Sequence, residues 1–241
     1  MGRAIVAGGK PAMEAPSAGI LASELAVGST VKLMENGSPA EYLVVHQGLP
    51  SSMYDSSCNG TWLLRKTVYT TQVWSDSNNS YSSSNANSYL NNTFLPLLST
   101  EVQNGIKQVK IPYRASSGYS STVSSGSSGF STKIFLLSGA ELGWSSSNSS
   151  IFIDDGAKLS YFTSGTSTAA NNKRVVSSYT WWTRSVAVES YSNCGIINVT
   201  TTGTYSGERR NYTSSFGIRP AMILNSETLF DEETLLLKRV A

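Results

Sequence analysis

Residues 30–46, TVKLMENGSPAEYLVVH, decide how this chain is read. Val31 and Leu33 alternate with Lys32 and Met34, the two-residue period of a strand with one buried face. Asn36-Gly37 then supplies the dipeptide that tolerates the left-handed backbone of a tight hairpin turn, and Glu41 to His46 returns as the second strand. TWLLRK, Thr61 to Lys66, reads as a third strand, with Thr67 to Val73 as its irregular continuation.

Downstream the period changes. Tyr89-Leu90, Phe94-Leu95 and Leu97-Leu98 recur at three-to-four spacing, so a helix is expected from Asn85 until Pro96 ends or bends it. A second helix is expected from Ser99 or Thr100, with Thr100 as N-cap, Glu101 in the first turn and Val102 and Ile106 on one face. Gln108 to Arg114 reads as extended, and the Ser/Gly-rich Ala115 to Thr132 as a long surface loop. KIFLLS, Lys133 to Ser138, is apolar enough to be placed in the middle of a sheet, followed by a helical turn at Gly139 to Trp144. Residues 145–178 read as loop anchored by Phe152, Ile153, Leu159, Tyr161 and Phe162. Three further strands are expected at Tyr179–Ser185, Cys194–Thr200 and Phe216–Leu224. Strands first, helices in the middle and strands last is an α+β order.

The division that follows is an N-terminal arm at 1–25, flexible or docked on a partner, one domain at 26–225 and a C-terminal tail at 226–241. Ile20 to Val27 reads as a docking turn of helix, and the tail as a short helix that docks on a neighbour.

Composition narrows the function. Only 14% of the 241 residues are charged and the net charge is +2, so neither nucleic-acid binding nor a polybasic membrane surface is expected. Ser, Thr and Asn supply the polarity instead. Cys58, Cys194 and His46 are the only residues of their types, too few for a metal-ligand spacing. The two thiols could pair; they are read as unpaired and buried. The opening residues lack the apolar core of a secretion signal, and no window approaches a membrane span. That leaves a cytosolic protein or one that reaches the outside as part of a particle. Asn-x-Ser/Thr triplets at Asn59, Asn91, Asn148, Asn198 and Asn211 are expected by chance in so Ser/Thr-rich a chain.

Enzymes need identifiable acid, base or nucleophile pairs. No GxSxG elbow is present, and His46 lies inside an expected strand, where it reads as structural. Asp154-Asp155-Gly156 lacks the spacing of a calcium loop and reads as a turn with solvated carboxylates. Glu41, Glu101, Glu141, Asp154, Asp155, Glu189 and Glu208 could furnish a glycosidase pair, but spacing selects none. Trp181 and Trp182 face opposite sides of a strand, so one fills the core and the other covers a layer or lines a ligand surface. Arg219, between apolar neighbours, needs carboxylates or backbone carbonyls and reads as a staple. Between these strands lies Val186 to Ser215, VAVESYSNCGIINVTTTGTYSGERRNYTSS, dense in the Tyr, Ser, Asn and Arg that binding loops favour. The same composition recurs in other loops of the chain, so a plain surface loop remains the competing reading.

Seven stretches carry a resemblance: VGSTVKLMENGSPAEYLVVHQG (27–48), CNGTWLLRK (58–66), YLNNTFL (89–95), IKQVKIPYR (106–114), KIFLLSGAELGW (133–144), TWWTRS (180–185) and FGIRPAMIL (216–224). Together they resemble an uncharacterised domain family of gut bacteria and their phages, over roughly residues 26–225. The resemblance implies a C-type-lectin-like fold, related in outline to the formylglycine-generating-enzyme architecture. Related domains sit on phage tail proteins and bacterial surface proteins, and some are the variable proteins of diversity-generating retroelements. In those, the segment matching Val186–Ser215 is hypervariable on a fixed scaffold.

Retroelement mutagenesis acts at template adenines, and Tyr191, Asn193, Ile197, Asn198, Arg210, Asn211 and Tyr212 are compatible with diversified Asn codons. Glu189 is not derivable from one, and Thr183 stands where the family usually has Leu. The expected ligand contacts are Glu189, Tyr191, Asn193, Ile197, Asn198, Tyr205, Arg209, Arg210, Asn211 and Tyr212. The expected frame residues are Trp181, Trp182, Arg184 and Arg219. Neither the oxidase pattern around a copper-binding cysteine pair nor the EPN or WND-like calcium clusters of this fold are found, so no cofactor or metal is expected.

The resulting expectation is a non-enzymatic receptor-binding or adhesin module of a phage tail or bacterial cell surface. It would present residues 186–215 to a host-surface protein or glycan, in several copies per particle as a homo-oligomer, with other virion subunits met through the arm. The alternatives are an architectural virion protein, or an enzyme of glycan-active or formylglycine-generating type.

Overall fold

The computed structural model describes residues 19–76, 80–114, 122–147, 149, 151–187, 195–209 and 215–240. After β1 (Gly19–Leu21) and a 3-10 turn at Ala22–Glu24, the hairpin forms where expected, from β2 (Thr30–Glu35) and β3 (Ser38–Gly48). Asn36 at φ 50° and Gly37 at φ 77° make its turn, and Glu35 pairs with Ser38. Positive φ at both turn residues gives the twist that two antiparallel strands need. Val31 and Leu33 are buried and Lys32 is exposed, as the alternation requires. The third strand is β4 (Gly60–Arg65), followed by β5 (Thr70–Gln72).

The central helices are short. Helix α1 (Asn85–Tyr89) has Ser84 as its cap and runs into a π turn at Leu90–Phe94 and a 3-10 turn at Leu95–Leu97. Pro96, which lacks an N–H, lies in that last turn. Helix α2 (Thr100–Gly105) is capped one residue earlier than expected, the Ser99 hydroxyl accepting the Val102 N–H at 3.4 Å while Thr100 is already helical. Five small strands follow, β6 (Val109–Ile111), β7 (Tyr113–Arg114), β8 (Val123–Ser124), β9 (Phe130–Thr132) and β10 (Ile134–Phe135). Helix α3 (Thr168–Asn172) interrupts the stretch read as loop. The chain closes with β11 (Trp181–Val186), β12 (Gly195–Val199), β13 (Tyr205–Arg209), β14 (Phe216–Ile218), β15 (Ala221–Leu224), β16 (Thr228–Asp231) and β17 (Leu237–Val240).

Two five-stranded sheets carry the body, ordered β10-β15-β4-β3-β2 and β13-β12-β11-β14-β5. All neighbours are antiparallel except β11 and β14. This is an α+β protein, rich in antiparallel sheet. One contiguous apolar cluster, including Trp62, Trp74, Trp144, Trp181 and Trp182, joins the sheets.

Three expectations need correction. Phe216–Leu224 is not one strand: Arg219-Pro220 breaks it, so β14 completes the second sheet and β15 the first, and the segment ties the two together. KIFLLS is not central, since β10 is the edge of its sheet. Its apolarity reflects cover rather than position, because Ile134 to Leu137 are wholly buried and the Arg184 N–H bonds the Leu137 carbonyl at 3.1 Å. The tail is no helix: β16 and β17 form a hairpin whose outer partner is β1, with Ile20 opposite Phe230. Residues 19–25 and 226–240 are therefore part of the folded body, not of an arm and a tail. The Ile20–Val27 turn survives as the 3-10 turn at Ala22–Glu24.

Candidate functional site

The segment Val186–Ser215 is anchored on three adjacent strands. Val186 pairs with Ile196, and Gly195 pairs with Arg209. The end of β11, the start of β12 and the end of β13 thus lie together at one end of the second sheet. Six expected contact residues, Glu189, Tyr191, Asn193, Arg210, Asn211 and Tyr212, lie outside the described residues, and so does Cys194. Of Arg209 the backbone pairing is described.

Ile197 and Asn198 correct the expected contact set. They are 0% and 1% exposed, and β12, an interior strand of its sheet, is buried along its whole length, so layers on both faces of the sheet cover it. Neither offers a surface to a macromolecular ligand. The Asn198 carboxamide is buried with no hydrogen-bond partner at either atom, a costly arrangement. Tyr205 is half-buried, its ring 4.7 Å from that of Phe152 and 5.6 Å from that of Trp144.

The frame residues behave as their chemistry demands. Trp181 and Trp182 are both fully buried, their indole N–H groups donating to the Arg174 carbonyl at 3.2 Å and the Gln72 carbonyl at 2.8 Å. The guanidinium of Arg219 lies 5.0 Å from the centre of the Trp181 ring and donates to the carbonyls of Arg65 and Lys66. Backbone carbonyls, not carboxylates, hold it, and burial lowers its pKa to about 9.

Arg184 is the hub of a buried polar cluster. Nη1 and Nη2 bond Glu141 Oε2 and Oε1 at 2.5 and 2.6 Å, while the remaining donors reach the carbonyls of Pro112, Leu136 and Asp155. A guanidinium has five N–H groups, and all five are taken up. Glu141 also accepts from the Tyr54 hydroxyl at 2.8 Å and the Ser138 N–H at 2.9 Å. The Ser185 hydroxyl lies 2.8 and 3.0 Å from the two Asp155 carboxylate oxygens and donates its single proton between them. Burial, opposed by Arg184 and Ser185, raises its carboxyl pKa to about 6. The reading of Asp154 and Asp155 as a solvated pair is thus half right: Asp154 is exposed and Asp155 is fully buried. Sequence reasoning missed this cluster, although Glu141 between Ala140 and Leu142 was a visible sign of a carboxylate entering the core.

The fold does gather two of the acids considered for hydrolysis, Glu141 and Asp155, but around Arg184 and away from solvent. His46 is half-buried, with Nδ1 2.7 Å from the Ser160 hydroxyl, and desolvation lowers its pKa. Cys58 is unpaired and buried, donates to the Lys110 carbonyl at 3.2 Å, and has its thiol pushed up to about 12, chiefly by burial. Among the described residues no three His, Cys, Asp or Glu side chains converge to hold a metal, and no helix is long and apolar enough to cross a membrane.

The sequence profile of a domain of unknown function, DUF6273, matches residues 59–226. The chain belongs to the DUF6273 family. The DUF6273 match opens just before β4 and ends after β15, so it contains the Arg184–Glu141 pair, both tryptophans of β11 and the whole of Val186–Ser215. The β2–β3 hairpin and the β1-β16-β17 sheet lie outside it. No curated protein and no solved structure matches the chain.

Proposed function

We propose that this DUF6273 protein is a ligand-binding module of the receptor-binding or adhesin kind, with a C-type-lectin-like frame, carried on a phage tail or a bacterial surface. The observation that carries the reading is the convergence of the β11, β12 and β13 ends at one end of a sheet. Such a frame holds its shape while the residues joined to it change, and rigid elements under adaptable loops suit recognition. Glu141 and Arg184 are buried and paired with each other, and Asp155 is buried against Ser185, which disfavours a hydrolytic reading of the same cluster. Val186–Ser215 would meet a host-surface protein or glycan through Tyr and Arg side chains, and several copies per particle would multiply a weak single contact.

The test is attachment. Beads coated with the purified chain are counted on a panel of gut bacteria, beside a Tyr191→Ala, Arg210→Ala, Tyr212→Ala triple variant. Selective attachment by the parent and its loss in a folded triple variant support the reading. Equal attachment by both points to an architectural protein instead.

A further inference from the structure

His46 is the only histidine of the chain, and it stands where β3 bulges. Val44 pairs with Leu63 and His46 with Trp62, so Val45 is an extra residue in the ladder. From this bulge β3 takes hold of residues 159–162. The Val45 carbonyl accepts the Tyr161 N–H at 3.0 Å, and His46 Nδ1 accepts the Ser160 N–H at 3.2 Å. A backbone N–H can only donate. Nδ1 therefore carries the lone pair, and the proton of the neutral ring is on Nε2, which is closed to solvent.

The hydroxyl of Ser160, an exposed residue, lies 2.7 Å from the same nitrogen. It donates to the neutral ring or turns to accept from a charged one; the backbone N–H has no such choice. A proton on Nδ1 makes that nitrogen a donor, so the Ser160 N–H loses its acceptor and two hydrogens face each other. The residues thereby loosened are packed ones. Leu159 is 0% and Phe162 2% exposed, and the Leu159 N–H bonds the Glu141 carbonyl at 3.1 Å.

The surroundings favour the neutral ring. Trp62 of β4 meets it edge-on at 6.3 Å. Desolvation lowers its pKa from the ordinary 6.5, against the opposing effects of the Leu49 backbone and the Glu141 charge. Glu141 is bonded to Arg184 and Tyr54. On the held segment, the Lys158 ammonium bonds the Phe162 carbonyl and the Lys173 ammonium the Tyr161 carbonyl. Asp155 receives the Ser185 hydroxyl. The imidazole itself bonds Ser160 and none of these charged groups.

We propose that His46 is a pH-sensitive latch, which when uncharged holds residues 159–162 against β3 and on protonation releases them. Because the ring charges less readily in the fold than in the unfolded chain, the hold is complete above about pH 6.5 and is lost as pH falls through the folded value. Asp155 acts in the opposite sense, its carboxyl being raised to about 6, so the two titrations are separable. The latch does not depend on the attachment reading.

The full chain, labelled with nitrogen-15, is followed by NMR between about pH 4.5 and 7.5, the range in which histidine switches. With a single histidine the ring nitrogens are assigned without ambiguity. The proton is expected on Nε2 at neutral pH, with a midpoint below 6.5. Hydrogen-exchange protection of the Ser160 N–H, corrected for the intrinsic effect of pH, should drop about tenfold as the ring charges, while that of Leu63 and Leu64 in β4 holds. His46→Asn keeps an acceptor near the Nδ1 position that does not titrate, and should make the Ser160 protection flat with pH. Asp155→Asn should leave the response in place. A proton on Nδ1 at neutral pH, protection that ignores the ring titration, or a response that persists in His46→Asn or vanishes in Asp155→Asn overturns the inference. Should His46→Asn fail to fold, the tautomer and the exchange of the parent chain decide.

Discussion

Arg184 and Glu141 meet through two hydrogen bonds of 2.5 and 2.6 Å, with neither side chain exposed to solvent. Both are satisfied, and each would be stranded without the other. Glu141→Gln or Arg184→Met alone should destabilise the protein by about 3–5 kcal/mol, because the surviving charge stays buried and unpaired. The double variant Glu141→Leu, Arg184→Met should lose clearly less than the sum of the two. Urea unfolding of all three, arranged as a double-mutant cycle, measures this.

Asp155 sets a pH dependence of opposite sign to most carboxylates. Its pKa in the folded protein is raised to about 6, above the roughly 4 of an unfolded aspartate. The folded state therefore holds the proton more tightly, and the stabilisation is present below about pH 4 and lost as pH rises through about 6. Each pKa unit corresponds to about 1.4 kcal/mol, so the change approaches about 3 kcal/mol. Relative to the parent, Asp155→Asn should gain stability as pH rises from 4 to 7, read from unfolding curves across that range. A constant difference between the two proteins would show that Asp155 does not titrate in this window.

Cys58 should be inert. A buried thiol with its pKa pushed up to about 12 carries almost no thiolate at neutral pH. In a Cys194→Ser background, a disulfide exchange reagent should label Cys58 at pH 8 only after the protein is unfolded.

The β2–β3 turn should show the cost of a left-handed backbone in isolation. Gly37 has φ 77° and open space where a Cβ would stand, so Gly37→Ala meets conformational strain and no collision. A loss of about 1–2 kcal/mol is expected, measured by thermal or urea unfolding.

Removal of residues 226–241 tests whether they are structural. Phe230 is fully buried and Thr228 packs near Gly105. A chain ending at Asn225 should unfold at lower denaturant and bind a hydrophobic dye, whereas a dispensable tail would leave the unfolding curve unchanged.

Where a local signal was strong, the sequence was legible. Asn36-Gly37 between alternating residues gave the hairpin, and the isolation of Arg219 among apolar neighbours gave its staple role; of the two tryptophans one was expected in the core and the other over a layer or a ligand surface, and both are buried. Errors arose where tertiary cover imitates another signal. Ile134 to Leu137 are apolar because Arg184 and its neighbours lie over them, which no period within the hexapeptide reveals. Phe216–Leu224 looked continuous because both sheets want apolar residues, and only the Arg219-Pro220 break separates them. Ile197 and Asn198 were placed among the ligand contacts by their compatibility with diversified Asn codons, whereas β12 has both of its faces covered.

The pairing of β1 with β16 also determines how the molecule bears tension. Gly19 lies beside Asp231 at one end of the terminal sheet, while Val240 lies beside Thr228 at the other. A pull applied at Gly19 and Val240 therefore runs along the strands, so the hydrogen bonds share the load in shear instead of opening one after another like a zip. A body fastened in this way resists being dragged open by its ends, and the rate at which it yields is set by the barrier to breaking that ladder rather than by its equilibrium stability.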